Sequence, residues 1–195
     1  EICFIGTGEY PSGSLGTGVY RSADGGTSWT QLPLYPAPTR VSKMLISQWE
    51  TNVVFAATDS GIYRSTDSGD SWMLVQGGSA SDIATSTTGN FMLAGIRKDG
   101  VYRSMDFGAS WTKLTADLPA TDSTIGRIAV AIAPSDSLRG YVQIGYPKPI
   151  DSVRAVLKTT NAGENWSNVT PSPSALSGDK TKYLAQEWYN NVVTV

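Results

Sequence analysis

The chain has 195 residues, which suits one domain or part of one, and its 17 acidic and 15 basic residues leave a formal net charge of −2. So small a charge gives no field that would attract nucleic acid or an anionic membrane, and no apolar run reaches the roughly 20 residues of a membrane helix. The chain contains no histidine, which excludes a Ser-His-Asp or Cys-His catalytic arrangement within it, and its single cysteine, Cys3, cannot form an internal disulfide. We therefore expect no nucleic-acid partner, no membrane span, no metal and no cofactor.

Strand-forming residues, glycine and serine are plentiful and long helical periodicity is absent, so the sequence predicts an all-β fold. In chain order, short strands are predicted at residues 2–6, 18–22 and from 29; at 41–47, 53–58, 61–65 and 72–75; at 83–86, 91–95, 100–104 and 111–114; and at 127–133, 141–145, 153–159 and 166–169. One further strand is predicted within residues 183–195.

A segment of eight residues that ends in tryptophan occurs four times. We call these segments box 1 (22–29), box 2 (65–72), box 3 (104–111) and box 4 (159–166). They share the pattern Ser-x-Asp-x-Gly-x-x-Trp, from which box 4 departs by a threonine and an asparagine. The patterned residues are Ser22, Asp24, Gly26, Trp29, Ser65, Asp67, Gly69, Trp72, Ser104, Asp106, Gly108, Trp111, Thr159, Asn161, Gly163 and Trp166. Successive tryptophans are 43, 39 and 55 residues apart, near the period of about 40–50 residues of a four-stranded propeller blade.

This repeat predicts that residues 1–195 form part of one β-propeller domain built from four-stranded antiparallel blades. The expected units are a partial blade 1 (1–32), blade 2 (41–75), blade 3 (82–115), blade 4 (126–170) and the start of blade 5 (183–195). The chain begins inside a predicted strand and stops after an apolar one, so we expect an excerpt of a larger protein. Because propellers close with about four to eight blades, the remaining blades are expected as partners, in the same or another chain.

Each box has the composition of a turn between two strands. Aspartate accepts hydrogen bonds from its own turn, and glycine supplies the positive φ that such a turn needs. The tryptophan is expected to fold back as an apolar lid over the hairpin, burying roughly 150–250 Å², or about 4–6 kcal/mol before opposing terms are counted. Each hydrogen bond of the aspartate should contribute only about 1–3 kcal/mol. Packing of the indole is thus predicted to dominate, while the aspartate sets the turn.

With these boxes the chain resembles the Asp-box, or BNR, repeat propellers, and the likeness covers nearly the whole sequence. That family includes sialidases, sortilin-type sorting receptors, xyloglucan-cleaving glycoside hydrolases and photosystem assembly factors. The segments Gly6-Thr7-Gly8-Glu9 and 186–191 look most like large secreted surface proteins of the Bacteroidetes type. The resemblance implies a secreted or cell-surface protein whose boxes are structural and lie on the face away from the substrate.

Two features in or beside the boxes have a functional alternative to this structural interpretation. Asp67 and Asp70 put two carboxylates into box 2, but the Asp-x-Asp-x-Asp-Gly series of a calcium loop is absent. A basic residue precedes each box, and these four residues could form an anion-binding ring: Arg21, Arg64, Arg103 and Lys158. We expect instead that each stem packs on a neighbouring aromatic ring while the head stays in solvent or pairs locally.

Loops that break the repeat are better candidates for binding. The loops between second and third strands are 9–17, 59–60, 97–99 and 146–152; we call them the rim. The candidate binding residues there are Glu9, Tyr10, Arg97, Lys98, Asp99, Tyr146, Lys148 and Asp151. Their aromatic and charged groups suit a sugar or a peptide. Glycoside hydrolysis needs two carboxyl groups about 5–10 Å apart, for which three of these residues are available, and no catalytic residue can be assigned from sequence.

The leading hypothesis is a non-enzymatic propeller module, secreted or on the cell surface, that binds carbohydrate or protein through its rim. One alternative is a polysaccharide-cleaving glycoside hydrolase whose carboxylate pair lies partly outside this chain. The other is a structural spacer in a surface assembly.

Overall fold

A computed structural model of the protein describes residues 1–11, 13–119, 125–146 and 153–172. These residues contain fifteen β-strands and no helix, which confirms the predicted all-β class. In this part of the chain there is accordingly no apolar helix long enough to span a bilayer. The strand predicted within residues 183–195 lies outside the described residues, as do the candidate binding residues Lys148 and Asp151.

The strands form four antiparallel sheets, each a simple meander in chain order. Blade 1 has three strands: β1 (Cys3–Gly6), β2 (Val19–Ser22) and β3 (Thr30–Gln31). Blade 2 contains β4 (Val41–Ile46), β5 (Val54–Thr58), β6 (Gly61–Ser65) and β7 (Met73–Gly77). Blade 3 contains β8 (Ala80–Thr85), β9 (Met92–Ile96), β10 (Gly100–Ser104) and β11 (Thr112–Lys113). Blade 4 contains β12 (Ile128–Ile132), β13 (Gly140–Gly145), β14 (Val153–Thr159) and β15 (Ser167–Asn168).

The hydrophobic core lies between the blades. Val19 of blade 1 packs with Tyr63 of blade 2, Phe55 of blade 2 with Met92 of blade 3, and Leu93 of blade 3 with Val142 of blade 4. These three clusters leave β5, β9 and β12 buried along their whole length. A strand covered on both faces takes mostly apolar residues, which explains why Thr58, at the end of β5, is the only polar residue in the three strands.

Small residues at the ends of second strands let neighbouring blades approach closely. A Cβ added to Gly6 would lie 2.3 Å from Val41 Cγ1, and one added to Gly95 would lie 2.6 Å from Ile128 Cβ. Both distances are far below van der Waals contact, so the interface between neighbouring blades, which we call the seam, leaves no space for a methyl group at these two positions.

Two serines bind across the same seams from bulges in the inner strands. Register shifts between Val41 and Lys43, and again between Ala80 and Asp82, place Ser42 and Ser81 at the bulges. Ser42 Oγ lies 2.8 Å from Ala80 O of the next blade. Ser81 Oγ lies 2.6 Å from Ile128 O and accepts the Ile128 N–H at 3.1 Å. Each hydroxyl therefore joins two blades through main-chain groups.

Candidate functional site

The boxes are closed hydrogen-bonded turns. In box 2, the Ser65 hydroxyl donates to Asp67 Oδ1 at 2.7 Å and accepts the Gly69 N–H at 2.8 Å. Asp67 in turn accepts the Ser71 N–H at 2.9 Å on Oδ1 and the Ser71 hydroxyl at 2.5 Å on Oδ2. Boxes 1 and 3 repeat this set of bonds. Both carboxylate oxygens are therefore already occupied within the turn.

These bonds favour the ionised carboxylates. Hydrogen bonds from the Ser28 amide and then from the Ser22 and Ser28 hydroxyls lower the pKa of Asp24 to about 2. The Ser71 hydroxyl and amide, followed by the Ser65 hydroxyl, lower the pKa of Asp67 to about 2.

Asp70, the second carboxylate of the calcium alternative, pairs at 2.6 Å with the Arg21 guanidinium of blade 1. Among the residues that the structure describes, no group of three or more carboxylates and thiolates could hold a metal ion.

Box 4 keeps the turn with different groups. Thr159 replaces the serine, donates to Asn161 Oδ1 at 2.9 Å and accepts the Gly163 N–H at 2.9 Å. The second carboxylate oxygen is missing, and Asn165 stands where the other boxes have the serine that binds that oxygen. The aspartate and the later serine are thus lost together, as expected for two groups that serve one hydrogen bond.

The tryptophans differ in burial, and the predicted lid is wrong for the first of them. Trp29 is 39% exposed, whereas Trp166 is 7% exposed because it packs with Leu114 and Leu118, from the segment that follows β11. Each outer strand begins one residue after its tryptophan, since the indole still belongs to the turn. The Trp29 and Trp72 indole N–H groups donate to Gly26 O and Gly69 O at 3.1 and 3.0 Å. An outermost strand has no further strand beside it, so its indole is buried only where a linker covers it.

The arginine before each of the first three boxes reaches the box of the next blade. The Arg21 guanidinium donates to Ser68 O at 2.7 Å, Arg64 Nε to Phe107 O at 3.1 Å, and Arg103 to Ala162 O at 3.0 Å. This corrects the expectation that the heads stay in solvent or pair locally.

The three acceptor residues occupy the same box position. The acceptor is the fourth residue of its box in all three cases. These residues are Ser68, Phe107 and Ala162, with φ angles of 58°, 59° and 53°. The shared left-handed conformation gives the three carbonyl groups the same local backbone geometry. The sequence shows an arginine before each of the first three boxes, which is the signal that could have predicted a repeated contact. The acceptor is a main-chain carbonyl group, which no residue type marks in a sequence.

At the opposite ends of the blades, the rim gathers residues that do not repeat. Tyr10 is buried, and its hydroxyl lies 3.2 Å from Ser79 O and 3.0 Å from Ser79 Oγ; burial raises the pKa of Tyr10. Ser79 O also accepts the Arg97 N–H at 2.8 Å. Tyr10 of blade 1 and Arg97 of blade 3 therefore meet at the linker that leads into blade 3.

Other contacts extend the rim in both directions. The Lys98 N–H donates to Ile125 O at 3.1 Å, and a Cβ on the adjacent Gly126 would lie 2.7 Å from Tyr146 O. The Arg154 guanidinium, which the sequence did not single out, lies 5.6 Å from the centre of the Tyr146 ring. At the other end, the exposed Glu9 accepts the Ser14 N–H at 3.4 Å within its own loop.

Asp99 is held by two neighbours on its own blade. It accepts the Tyr102 hydroxyl at 2.7 Å and forms an ion pair with the Lys113 ammonium group. Burial acts to raise the pKa of Asp99, but the hydrogen bonds from Lys113 and Tyr102 outweigh it and lower that pKa below its ordinary value. Burial and the adjacent carboxylate raise the pKa of Tyr102 to about 12. This geometry suits an ionised carboxylate with a fixed orientation and does not suit a proton donor.

Similar solved structures include three GH74 proteins. An ancestral GH74 enzyme is 25% identical over 82% of this chain and 22% of its own, with a TM-score of 0.63. The GH74 enzyme of Niastella koreensis is 18% identical over 86% of this chain and 27% of its own, with a TM-score of 0.63. The GH74 xyloglucanase from Xanthomonas campestris is 15% identical over 88% and 28%, with a TM-score of 0.62. The chain thus spans only about a quarter of the length of these proteins, and the latter two likenesses show the fold alone.

No curated protein sequence matches the chain. Residues 10–192 match the family model of the DUF6242 beta propeller domain, which agrees with the meander sheets and with the burial between them. The chain therefore belongs to the DUF6242 β-propeller domain family.

Proposed function

We propose that this chain is part of a secreted or cell-surface propeller module that binds polysaccharide through its rim, with further blades completing the ring. We also propose that its four boxes are Asp boxes of the BNR type with a structural role. The observation that carries the binding proposal is the contrast between the two ends of the blades. The box end repeats the same internal bonds from blade to blade, whereas the rim has groups that do not repeat. Tyr10 and Arg97 contact Ser79 there, Lys98 contacts Ile125, and Tyr146 lies against Gly126.

Physical chemistry supports the rim as the binding end. A ligand with its own shape needs an asymmetric set of groups, and aromatic and charged side chains on loops held by main-chain bonds supply one. No carboxylate among the described residues forms an ion pair with Arg97, so its guanidinium remains available for a polar ligand. The 25% identity to a GH74 enzyme makes polysaccharide the first ligand class to test.

The test is a binding titration of the full-length protein with soluble polysaccharides, xyloglucan among them. We expect Arg97→Ala combined with Tyr146→Ala to weaken binding at least tenfold. Arg139→Ala is the matched control, because Arg139 lies at the box end of blade 4 and pairs with Asp136 at 3.2 Å. Equal losses in the variant and the control, or no binding of any polysaccharide, would contradict the proposal.

Product analysis distinguishes the hydrolase alternative from the binding proposal. Release of reducing ends by the full-length protein, abolished by Asp99→Asn or Asp151→Asn, would replace the binding proposal with an enzymatic one. The ion pair with Lys113 and the lowered pKa of Asp99 favour a polysaccharide that is bound and left intact.

A further inference from the structure

We propose that the groove between blades 2 and 3, at the box end of the molecule, is a second binding site that takes a carboxylate-bearing sugar residue, a uronate. The groove encloses a cavity of about 340 Å³ beside the Arg64 guanidinium, with Trp72, Met73 and Val75 on one side and Ala109 on the other. That volume lies at the lower end of the range of about 300–1,000 Å³ for small-ligand sites. The site is distinct from the rim, because the two lie at opposite ends of β6.

The junction of blades 1 and 2 shows which group this junction lacks. The sixth residue of the box is Thr27 in box 1, Asp70 in box 2, Ala109 in box 3 and Glu164 in box 4. Among the described residues, no ion pair joins Glu164 to the arginine of the preceding blade. At the junction of blades 1 and 2, the Asp70 carboxylate pairs with Arg21 at 2.6 Å. At the junction of blades 2 and 3, Ala109 leaves Arg64 without a carboxylate partner among the described residues. The fold thus presents a site for one carboxylate and supplies none.

Arg64 retains the donors that such a ligand requires. Its Nε donates to Phe107 O at 3.1 Å, which anchors the guanidinium plane to blade 3. A guanidinium fixed through Nε still has terminal N–H groups, which match the two oxygens of a carboxylate. At the neighbouring junction, the equivalent guanidinium binds a carbonyl and a carboxylate at the same time, through Ser68 O and Asp70.

The rest of the lining favours a sugar ring as the carrier of that carboxylate. The indole of Trp72 is half-buried and tied by its N–H to Gly69 O at 3.0 Å, so it offers a fixed apolar surface to the C–H face of a pyranose. Met73 is 69% exposed at the cavity, a large apolar side chain that a ligand could cover. The exposed Thr66 adds a hydroxyl group for a sugar hydroxyl, and the Ser71 hydroxyl, which donates to Asp67, can still accept a hydrogen bond.

The decisive variant is Ala109→Asp, which places a carboxylate beside Arg64 in the way that Asp70 is placed beside Arg21. Its carboxylate would pair with Arg64 and occupy the cavity. Ala23→Asp is the matched control, because it adds the same charge at an exposed position of box 1. Ala109→Asn adds nearly the same volume without the charge and separates steric from electrostatic effects.

The measurement is a calorimetric titration of the full-length protein and these variants with oligogalacturonate, with an uncharged gluco-oligosaccharide, and with a glutamate-rich peptide. We expect wild type and Ala23→Asp to bind the uronate, Ala109→Asp and Arg64→Met to bind it at least tenfold more weakly, and Ala109→Asn to fall between them. Arg139→Ala, which removes an arginine that belongs to neither proposed site, should leave this binding unchanged. The loss is assigned to Arg64 and Ala109, so a failure of the rim proposal would be seen separately. Absence of uronate binding, uronate binding that Ala109→Asp leaves intact, or equally tight Arg64-dependent binding of the acidic peptide would each overturn the proposal.

Discussion

The box serine satisfies more main-chain groups than any other side chain of its turn. Ser65 is 1% exposed, and its hydroxyl accepts the main-chain N–H groups of Asp67 and Gly69 while donating to the Asp67 carboxylate. Thr159 makes the same bonds in box 4, so the added methyl group of threonine is tolerated by the turn. The hydroxyl, and not the size of the side chain, is therefore what this position requires.

Replacement of Ser65 by alanine should destabilise the protein by about 1–3 kcal/mol, because it leaves the Gly69 N–H buried without an acceptor. Ser65→Thr is the control and should lie within about 1 kcal/mol of wild type. Denaturant unfolding of both variants measures the free energies. A Ser65→Ala variant as stable as Ser65→Thr would show that the hydroxyl does not hold the turn.

The lowered pKa values of the box aspartates predict how stability responds to acid. A carboxyl group with a folded pKa of about 2 and an ordinary value of 3.8 stabilises the fold fully above the ordinary value, and this contribution is lost as the pH falls through the folded pKa. The contributions of Asp24 and Asp67 should therefore be constant from pH 7 to about pH 5 and decline between about pH 4 and pH 2.

Carboxyl carbon NMR titration of the native protein measures these two groups directly. We expect midpoints near pH 2 for both, and Asp67→Asn should remove one titration without moving the other. Midpoints near 3.8 would mean that the serine hydrogen bonds do not persist in solution.

At the scale of single strands, the apolar pattern predicted well which segments form strands and poorly where some of those strands begin. The predicted third strands of blades 2 and 3 agree with β6 and β10 to the residue. The outer strands were predicted to begin at the tryptophans but begin one residue later, and in boxes 1 and 2 the indole N–H binds a carbonyl group of the box. The inner strand of blade 3 was predicted from residue 83 but begins at Ala80, since polar residues in a bulge hide its first part from a pattern of apolar residues.

Contacts at the two ends of the blades were harder to predict for a different reason. The arginine bonds between blades end on carbonyl oxygens, which every residue carries, so no residue type marks the acceptor. Tyr10, in the loop after β1, reaches Ser79 at the end of blade 2, a contact over 69 residues that spacing along the chain does not reveal. Where the rim was predicted from loop position alone, its residues remain candidates that the binding experiment must test.

The close seam between blades 3 and 4 predicts the effect of one added methyl group. In Gly95→Ala, the new Cβ would lie 2.6 Å from Ile128 Cβ, so the blades must separate at a cost of about 1–3 kcal/mol. Gly77→Ala is the control, because nothing lies within 4 Å of a Cβ there and its φ is not positive. Thermal unfolding should show a lower midpoint for Gly95→Ala only; equal midpoints for the two variants would contradict a closely packed seam.

At the scale of the whole molecule, successive blades are joined by three kinds of contact. Apolar clusters fill the spaces between sheets, bulge serines bind across the inner strands, and arginines bind the next box at the opposite ends of the blades. All of these repeat from blade to blade, which is what an architecture of stacked equal units requires. Features that do not repeat are concentrated in the rim and in the open junction beside Arg64, and our functional proposals rest on those two places.

Hydrogen exchange of the full-length protein, with and without a neutral polysaccharide that it binds, tests most directly whether the rim is the binding end. The account predicts slower exchange on binding at the amides of Arg97, Lys98 and Asp99, with the Gly69 and Gly108 amides of the boxes unchanged. Protection confined to the box amides, or absent from residues 97–99 at a saturating polysaccharide concentration, would contradict it.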